Sequence, residues 1–400
     1  MITRIERQVT LDDRAASPYL EVPFEVPRGV ESVEVRLRYD RAAGVVDLGC
    51  AGPAGFRGWS GGARDRFAIA HDAASPGYVS GELEEGVWSV ILGLHRIPAD
   101  GLDLNLEISL PATAPPDNEP PAPPPPERPL HRELPAAPGL RWLACDLHAH
   151  SVHSDGSLGV AELAAAAVRS RLDVLAVTDH NTVSHHASLP GIGSQYGVTL
   201  IAGQEVTTDR GHANAFGDIG WVDFRRPAQA WVSAVAAAGG LLSINHPLAA
   251  DCSWHHPLTE RPPLAEIWHW TWLDRRWTGP LAWWAAWGHD TVPVGGSDFH
   301  GPGQGRHLGA PVTWVACESD EPAAVLDGLR ARRTALVAGV DDPVLLRVED
   351  EFVAIGADGT LLADRFGSRQ VVRGDMALFP AVAGPHRLET PLAEVVAISP

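Results

Sequence analysis

The chain contains no lysine, so every one of its basic side chains is an arginine. That removes Schiff-base chemistry and lysine-dependent phosphate loops from consideration, and a skewed genomic base composition is enough to account for it. Cysteine is scarce as well. Its four copies, Cys50, Cys145, Cys252 and Cys317, stand far apart with no Cys-x-x-Cys pair, and they read as small buried apolar residues in a reducing compartment. No run approaches the roughly 18 apolar residues of a membrane span. The opening stretch MITRIERQVTLDD lacks the apolar core of a signal peptide, which makes a cytoplasmic location the expectation. Positive charge is also in deficit, with a formal net charge of −19. An acidic protein repels phosphate backbones, so nucleic acid is not an expected partner. A small phosphorylated molecule remains compatible, because bound metals reverse the local sign of charge.

What is present is a soluble globular composition, 45% hydrophobic and 20% charged over 400 residues, enough for two or three domains. Residues 1–110 carry short alternating segments, such as Ser32 to Tyr39 and Leu102 to Leu110, separated by glycine-rich turns including AGPAGFRGWSGG. This pattern predicts an N-terminal β-sandwich, with packing as its expected role. Residues 111–139 hold 12 prolines and predict an extended, semi-rigid linker. From 140 to 340, continuously apolar strand segments alternate with helical ones, as in WLACDLH, SLGVAELAAAAVRSR, LDVLAVTDH and GVTLIAGQEV. Such alternation indicates α/β architecture with a parallel sheet, and about seven units fit a closed or distorted TIM-like barrel. Residues 341–400 return to short β segments and predict a small C-terminal β appendage.

The chemistry lies in the third region. His148, His150, Asp155, His180, Glu205, His212, His246, Asp298 and His300 recur in order, mostly at the ends of apolar runs. A His-x-His opens the series and an Asp-x-His closes it. In a strand, residues two apart share a face, so each pair aims both side chains at one spot. Six imidazoles and three carboxylates exceed the needs of one ion. They suit two or three borderline divalent metals such as Zn, Mn or Fe. A single buried histidine is more often a satisfied core residue; the joint placement at strand ends is what favours metal.

DLHAHSVHSDGSL, then AVTDHN, GQE, GHANAFG, NHP and GSDFH, together resemble the polymerase and histidinol phosphatase (PHP) family over residues 146–300. The resemblance implies a distorted seven-stranded βα barrel with a two- or three-metal centre. It implies that His148 and His150 bind a first metal with Glu205 and Asp298. Glu205 would bridge to a second metal held by His212 and His246, and Asp155, His180 and His300 would hold a third. Asp155 stands where some branches have histidine, which is similar to the phosphoesterase-type variant. The layout of a β-sandwich before a tryptophan-rich barrel also resembles the carbaryl-hydrolase-like branch, whose members cleave a carbamate ester of naphthol.

The expected activity is therefore hydrolysis by metal-bound hydroxide, with Glu205, Asp298 and His180 as catalytic candidates and a small-molecule phosphoester as the first substrate choice. A carbamate, carboxylic ester or amide of an aromatic compound is the second, and a non-catalytic metal-binding or scaffold protein is the third. Eight of the 14 tryptophans fall between residues 254 and 288. Core packing explains Trp283, Trp284 and Trp287 at helical spacing, whereas Trp254, Trp270 and Trp272 are open to a role in an aromatic wall. Arg210, Arg306, Trp254 and His256 are the substrate-contact candidates, since they fall in loops beside ligands.

Overall fold

The structure is a computed structural model describing residues 1–400, and the chain divides into two compact units. The first comprises Met1–Pro121 with His150–Gly159 and Asp179–Ala187; the second comprises Ala122–Ala149, Val160–Thr178 and Ser188–Pro400.

The first unit contains strands β1 (Ile2–Val9), β2 (Tyr19–Val26), β3 (Ser32–Arg38), β4 (Val45–Gly52), β5 (Gly55–Gly61), β6 (Arg66–Ala70), β7 (Gly86–Arg96) and β8 (Leu102–Ser109). They form two four-stranded antiparallel sheets, ordered β1-β8-β3-β6 and β2-β7-β4-β5. The alternating residues Val33, Val35, Leu37, Leu102, Leu104, Leu106 and Ile108 share one core with Val22, Val46, Leu48, Trp88 and Val90 of the other sheet. A side chain of this size contributes about 1.5–3 kcal/mol when fully buried, so the period-two pattern fixes which face of each strand turns inward.

One sequence expectation changes here. The glycine-rich stretch taken as a turn carries β5. Gly58, at φ +145°, runs so close to Gly77 and Tyr78 that a Cβ would lie 2.5 Å from their main-chain atoms. Glycine there allows the close approach of two backbones rather than a chain reversal. A short helix at Leu11–Ala16, closed by a reciprocal cap between Thr10 and Asp13, is a second unanticipated element.

The second unit is organised by β9 (Arg141–Ala149), β10 (Val174–Val177), β11 (Thr199–Thr208), β12 (Gly211–Phe216), β13 (Leu241–Ile244), β14 (Leu264–His269) and β15 (Val292–Gly296). They lie side by side in the order β15 to β9 within a 13-stranded sheet. β9, β10 and β11 are parallel, as are β13, β14 and β15, while β12 runs antiparallel to both neighbours. Helices Val160–Arg169, Leu189–Tyr196, Ala228–Ala237 and Gly279–Trp287 alternate with these strands.

Beyond β15 the chain comes back to β9. Ala149 pairs with Phe299 in a parallel bridge, and the fully buried Asp146 accepts hydrogen bonds from the Ser297 and Gly309 main-chain N–H groups at 2.9 and 2.8 Å. Asp146 thereby pins the segment carrying Asp298 to the strand carrying His148.

On its other side β9 pairs with β16 (Val312–Cys317), which pairs with β17 (Thr334–Val337). The region after 341 is only partly an appendage. Val344–Val348, Glu351–Ile355 and Met376–Pro380 form a separate three-stranded sheet, whereas Val395–Ser399, His386–Glu389, Leu361–Asp364 and Arg369–Val371 continue the large sheet from β17. The open edge of β17 supplies unpaired backbone groups that this extension satisfies. No helix is long and apolar enough to cross a membrane.

Candidate metal centre

Six of the nine expected ligands lie in the second unit, and three of them, His148, His212 and His246, converge on a fourth, the carboxylate of Glu205. Glu205, fully buried in β11, has Oε1 3.3 Å from His148 Nε2, 3.2 Å from His212 Nδ1 and 3.3 Å from His246 Nε2. The same oxygen accepts a hydrogen bond from Asn245 Nδ2 at 2.7 Å. His148 Nε2 is also 3.3 Å from Asp298 Oδ1. The β11–β12 register produces part of this. Thr207 faces His212 across the hairpin, and Glu205, two residues before Thr207, shares that face. His246 and Asp298 follow the ends of β13 and β15 at φ +26° and +50°. These are conformations that non-glycine residues hold only when their surroundings over-determine them.

Each pairing of Glu205 with an imidazole has the spacing of two ligands on a shared divalent cation. Ligand atoms bonded at about 2.1 Å around a tetrahedral ion lie about 3.4 Å apart, close to the 3.2–3.3 Å observed. Charged N–H···O bonds would instead close to about 2.7–2.9 Å. The electrostatics agree. Burial alone would lower the pKa of the His148 imidazole, but the carboxylates of Glu205, Glu266 and Asp298 outweigh it and raise it well above the usual value. His246 is likewise raised against burial, by Cys252 and Glu205 first. The site thus stabilises positive charge strongly.

Two residues absent from the sequence reading join this group. Glu266 in β14 places Oε1 3.1 Å from His148 Nδ1 and accepts the His246 main-chain N–H on Oε2 at 2.8 Å. It therefore orients His148 with Nε2 toward Glu205 and Asp298. His269 sits with Nε2 3.3 Å from Asp298 Oδ2 and Nδ1 2.8 Å from Thr271 Oγ1. Glu266 and His269 are three apart, which in a regular strand puts them on opposite faces. A register shift between Glu266 and Trp268 breaks that parity. A polar Glu and His inside the apolar EIWHW was the available signal. Cys252, read from sequence as buried, is only partly so, and its Sγ lies 3.3 Å from His246 Nδ1.

Asp298 Oδ2 is further held by Trp270 Nε1 at 3.3 Å and Arg306 Nη1 at 3.1 Å. The Arg306 guanidinium lies 3.9 Å over the Trp270 ring. His300 Nδ1 lies 2.9 Å from the Asp298 carbonyl oxygen. Arg210, Trp254 and His256 gather instead at the turn between β11 and β12. His256 Nε2 is 2.8 Å from Thr208 Oγ1 and its ring centroid 5.0 Å from that of Trp254, and Arg210 donates to the His255 carbonyl. Burial pushes His256 down to about 4, so it is neutral at physiological pH. A cavity of about 220 Å³ opens beside His246, Glu266 and His269, with Leu248, Trp272 and Trp277 in its apolar lining.

The other three expected ligands lie in the first unit. The rings of His150 and His180 stack with centroids 4.3 Å apart, and His180 Nε2 is 3.5 Å from Asp155 Oδ1. Ligand atoms of all three fall within 4.8 Å of one another. All three sit on loops outside regular strands. Asp179 ties those loops together: Ser151 donates from N at 2.9 Å and from Oγ at 2.6 Å, and Ser154 Oγ donates at 2.6 Å. Burial would raise the Asp179 carboxyl, but His185, His153 and His150 hold it at about 2. Asp47 of β4 also belongs to this unit. Burial raises it to about 6, against the opposing charges of His95 and His180.

No protein-family model matches the chain. Over 64 residues, 16% of its length, it is 38% identical to a 5'-3' exoribonuclease of Haemophilus influenzae, and the matched stretch spans 23% of that enzyme. Among solved structures it is similar to a two-domain protein from Bacteroides vulgatus containing a predicted PHP-like metal-dependent phosphoesterase, with 18% identity, a TM-score of 0.42, and coverage of 68% of this chain and 91% of that one. It is also similar to an amidohydrolase from Chromobacterium violaceum, with 16% identity, a TM-score of 0.33, and coverage of 48% and 97% respectively.

Proposed function

We propose that this chain is a metal-dependent hydrolase of the PHP type acting on a small-molecule phosphoester. The observation that carries the reading is the single oxygen of Glu205 with three imidazole nitrogens at 3.2–3.3 Å. In the same reading, β9 to β15 make the distorted seven-stranded barrel and the two sheets of residues 1–110 its β-sandwich. Residues 111–139 are the linker, 140–340 the catalytic region and 341–400 the C-terminal β region. His148, Glu205, His212, His246 and Asp298 would hold one part of a two- or three-ion centre, with His150, Asp155, His180 and His300 as its remaining ligands.

Divalent ions held there would acidify water toward neutral pH and offset negative charge on the substrate. The chain's own residues do the rest. Glu266 and Asn245 fix the orientation of His148 and Glu205. His269, Trp270 and Arg306 hold Asp298 Oδ2, which leaves Oδ1 facing His148. Arg306, stacked on Trp270, offers a guanidinium of the kind that clamps a phosphoryl oxygen. Arg210, Trp254 and His256 are proposed as outer substrate contacts.

A second reading has its own observation. The apolar cavity beside His246 favours an aromatic carbamate, ester or amide. Side-by-side assays of p-nitrophenyl phosphate, bis-p-nitrophenyl phosphate, p-nitrophenyl acetate and a naphthyl carbamate with added Mn or Zn separate the two. Turnover of phosphate esters alone supports the first reading. Turnover of acetate or carbamate alone replaces it with the second, and no turnover by a metal-loaded protein favours a binding or scaffold role.

A further inference from the structure

The loops that carry His150, Asp155 and His180 are fastened to the rest of the first unit around one turn, with further contacts from Arg64 and Glu119. We propose that this turn, centred on Gly77, positions those three ligands, so that the N-terminal sheets set the geometry of the His150, Asp155 and His180 group. The inference rests on the hydrolase reading above, because that reading makes these side chains ligands.

Six contacts build the clamp. The Gly77 main-chain N–H points at His153 Nδ1 and Ser184 Oγ, at 3.4 and 3.1 Å. The Gly77 carbonyl accepts from Thr182 Oγ1 at 2.8 Å. Arg64, in the segment between β5 and β6, donates to the Val152 carbonyl at 2.6 Å. His153, almost fully buried, closes the set, with Nδ1 2.6 Å from Ser184 Oγ and Nε2 2.8 Å from Glu119 Oε1 in the proline-rich segment. An ionised carboxylate only accepts, so the ring's Nε2–H donates to Glu119.

These contacts fall between the ligands in sequence. Val152 and His153 lie between His150 and Asp155, while Thr182 and Ser184 follow His180. Asp179 joins the two loops to each other, and the Gly77 turn joins both to the sheets. The glycine itself is required. It sits at φ +95°, and a Cβ there would stand 2.7 Å from the Trp59 carbonyl oxygen and 2.8 Å from that of His153. A second glycine serves the same geometry: a Cβ at Gly156 would lie 2.3 Å from the His150 carbonyl oxygen. These ligands lie outside the regular strands, so the contacts that fix their loops bear on where they sit. Loss of contacts that orient ligands typically weakens metal affinity about 10- to 100-fold.

The test measures ions bound per full-length chain, and their affinities, by competition against a chromophoric chelator with Mn and with Zn. His153→Leu should weaken one ion by about 10- to 100-fold and leave the tighter-bound metal unchanged. His153→Gln, which keeps a donor toward Glu119, should recover most of that loss. Arg64→Ala removes one main-chain contact of a partly buried side chain, and should weaken the same ion by a smaller factor. Wild-type affinities for every ion in both His153→Leu and Arg64→Ala would overturn the inference while leaving the hydrolase reading standing. A wild-type protein that binds no divalent ion would instead remove the hydrolase reading itself. Should His153→Leu fail to fold, Arg64→Ala alone decides.

Discussion

The two groups of candidate ligands differ in how they are held. The Glu205 group is built at strand ends, with Glu205 and His148 fully buried and each donor fixed by a neighbour on β14 or next to β13. The His150, Asp155 and His180 group stands on loops, with the Asp155 side chain 47% exposed and that of His180 20%. A strand end sets a side chain's direction through the sheet's own hydrogen bonds. A loop residue takes its direction from whatever the loop is tied to. The contrast predicts a rigid, high-affinity part of the centre and a weaker part whose occupancy depends on remote contacts.

The sharpest way to break that contrast is at its hub. Glu205→Gln removes the charge shared by three imidazoles, and metal affinity at that group should fall by well over 100-fold, more than loss of an orienting contact costs. Chelator competition reads it, and an unchanged affinity would mean that Glu205 is only a buried hydrogen-bond acceptor. Glu266→Gln should have the next effect, about 10- to 100-fold in affinity, because His148 loses its orienting carboxylate.

Protonation gives the same group a pH signature. His148 and His246 are raised in the folded, metal-free protein. Their contribution to stability is complete below about 6.5, the unfolded value, and is lost as pH rises through the raised values. Metal binding must displace those protons. Loading should therefore strengthen from pH 6 to 8 with measurable proton release, and a pH-independent affinity would contradict the assignment.

The smallest effect on the centre should come from Glu34, although its effect on the fold is large. Burial would raise this carboxyl, but hydrogen bonds from Thr113 and Arg66 outweigh it and hold it at about 2, against an ordinary 4.5. Its folded value is depressed, so the stabilisation is present above 4.5 and is lost as pH falls toward 2. The shift corresponds to about 3 kcal/mol. Glu34→Gln should lower stability by that order at neutral pH and blunt acid unfolding, while the Glu205 group keeps its metal. Parallel loss of metal there would erase the distinction between the two groups.

Much of this architecture was legible in the residues. Alternation marked the sheets of the first unit, and continuous apolar runs marked β9, β10 and β11, because period and burial are properties of local sequence. The ordered His and Asp pairs marked where imidazoles and carboxylates gather. Glu266 and His269 were not legible, since the register shift in β14 that gives them a common side is a feature of strand pairing. β5 was hidden because glycine signals both chain reversal and close approach. The clamp at Gly77 was invisible for a further reason. Its partners, Arg64, Glu119, His153 and Ser184, are up to 120 residues apart, and only His153 falls within one of the motifs, at a position with no expected ligand role.

The most direct test of the central claim is the metal content of the purified full-length chain, measured by elemental analysis after equilibration with Mn or Zn and removal of free ion. The account predicts two or three ions per wild-type chain, with the tighter-bound metal lost in Glu205→Gln. Fewer than one ion per chain, or equal content in the wild type and Glu205→Gln, would contradict it.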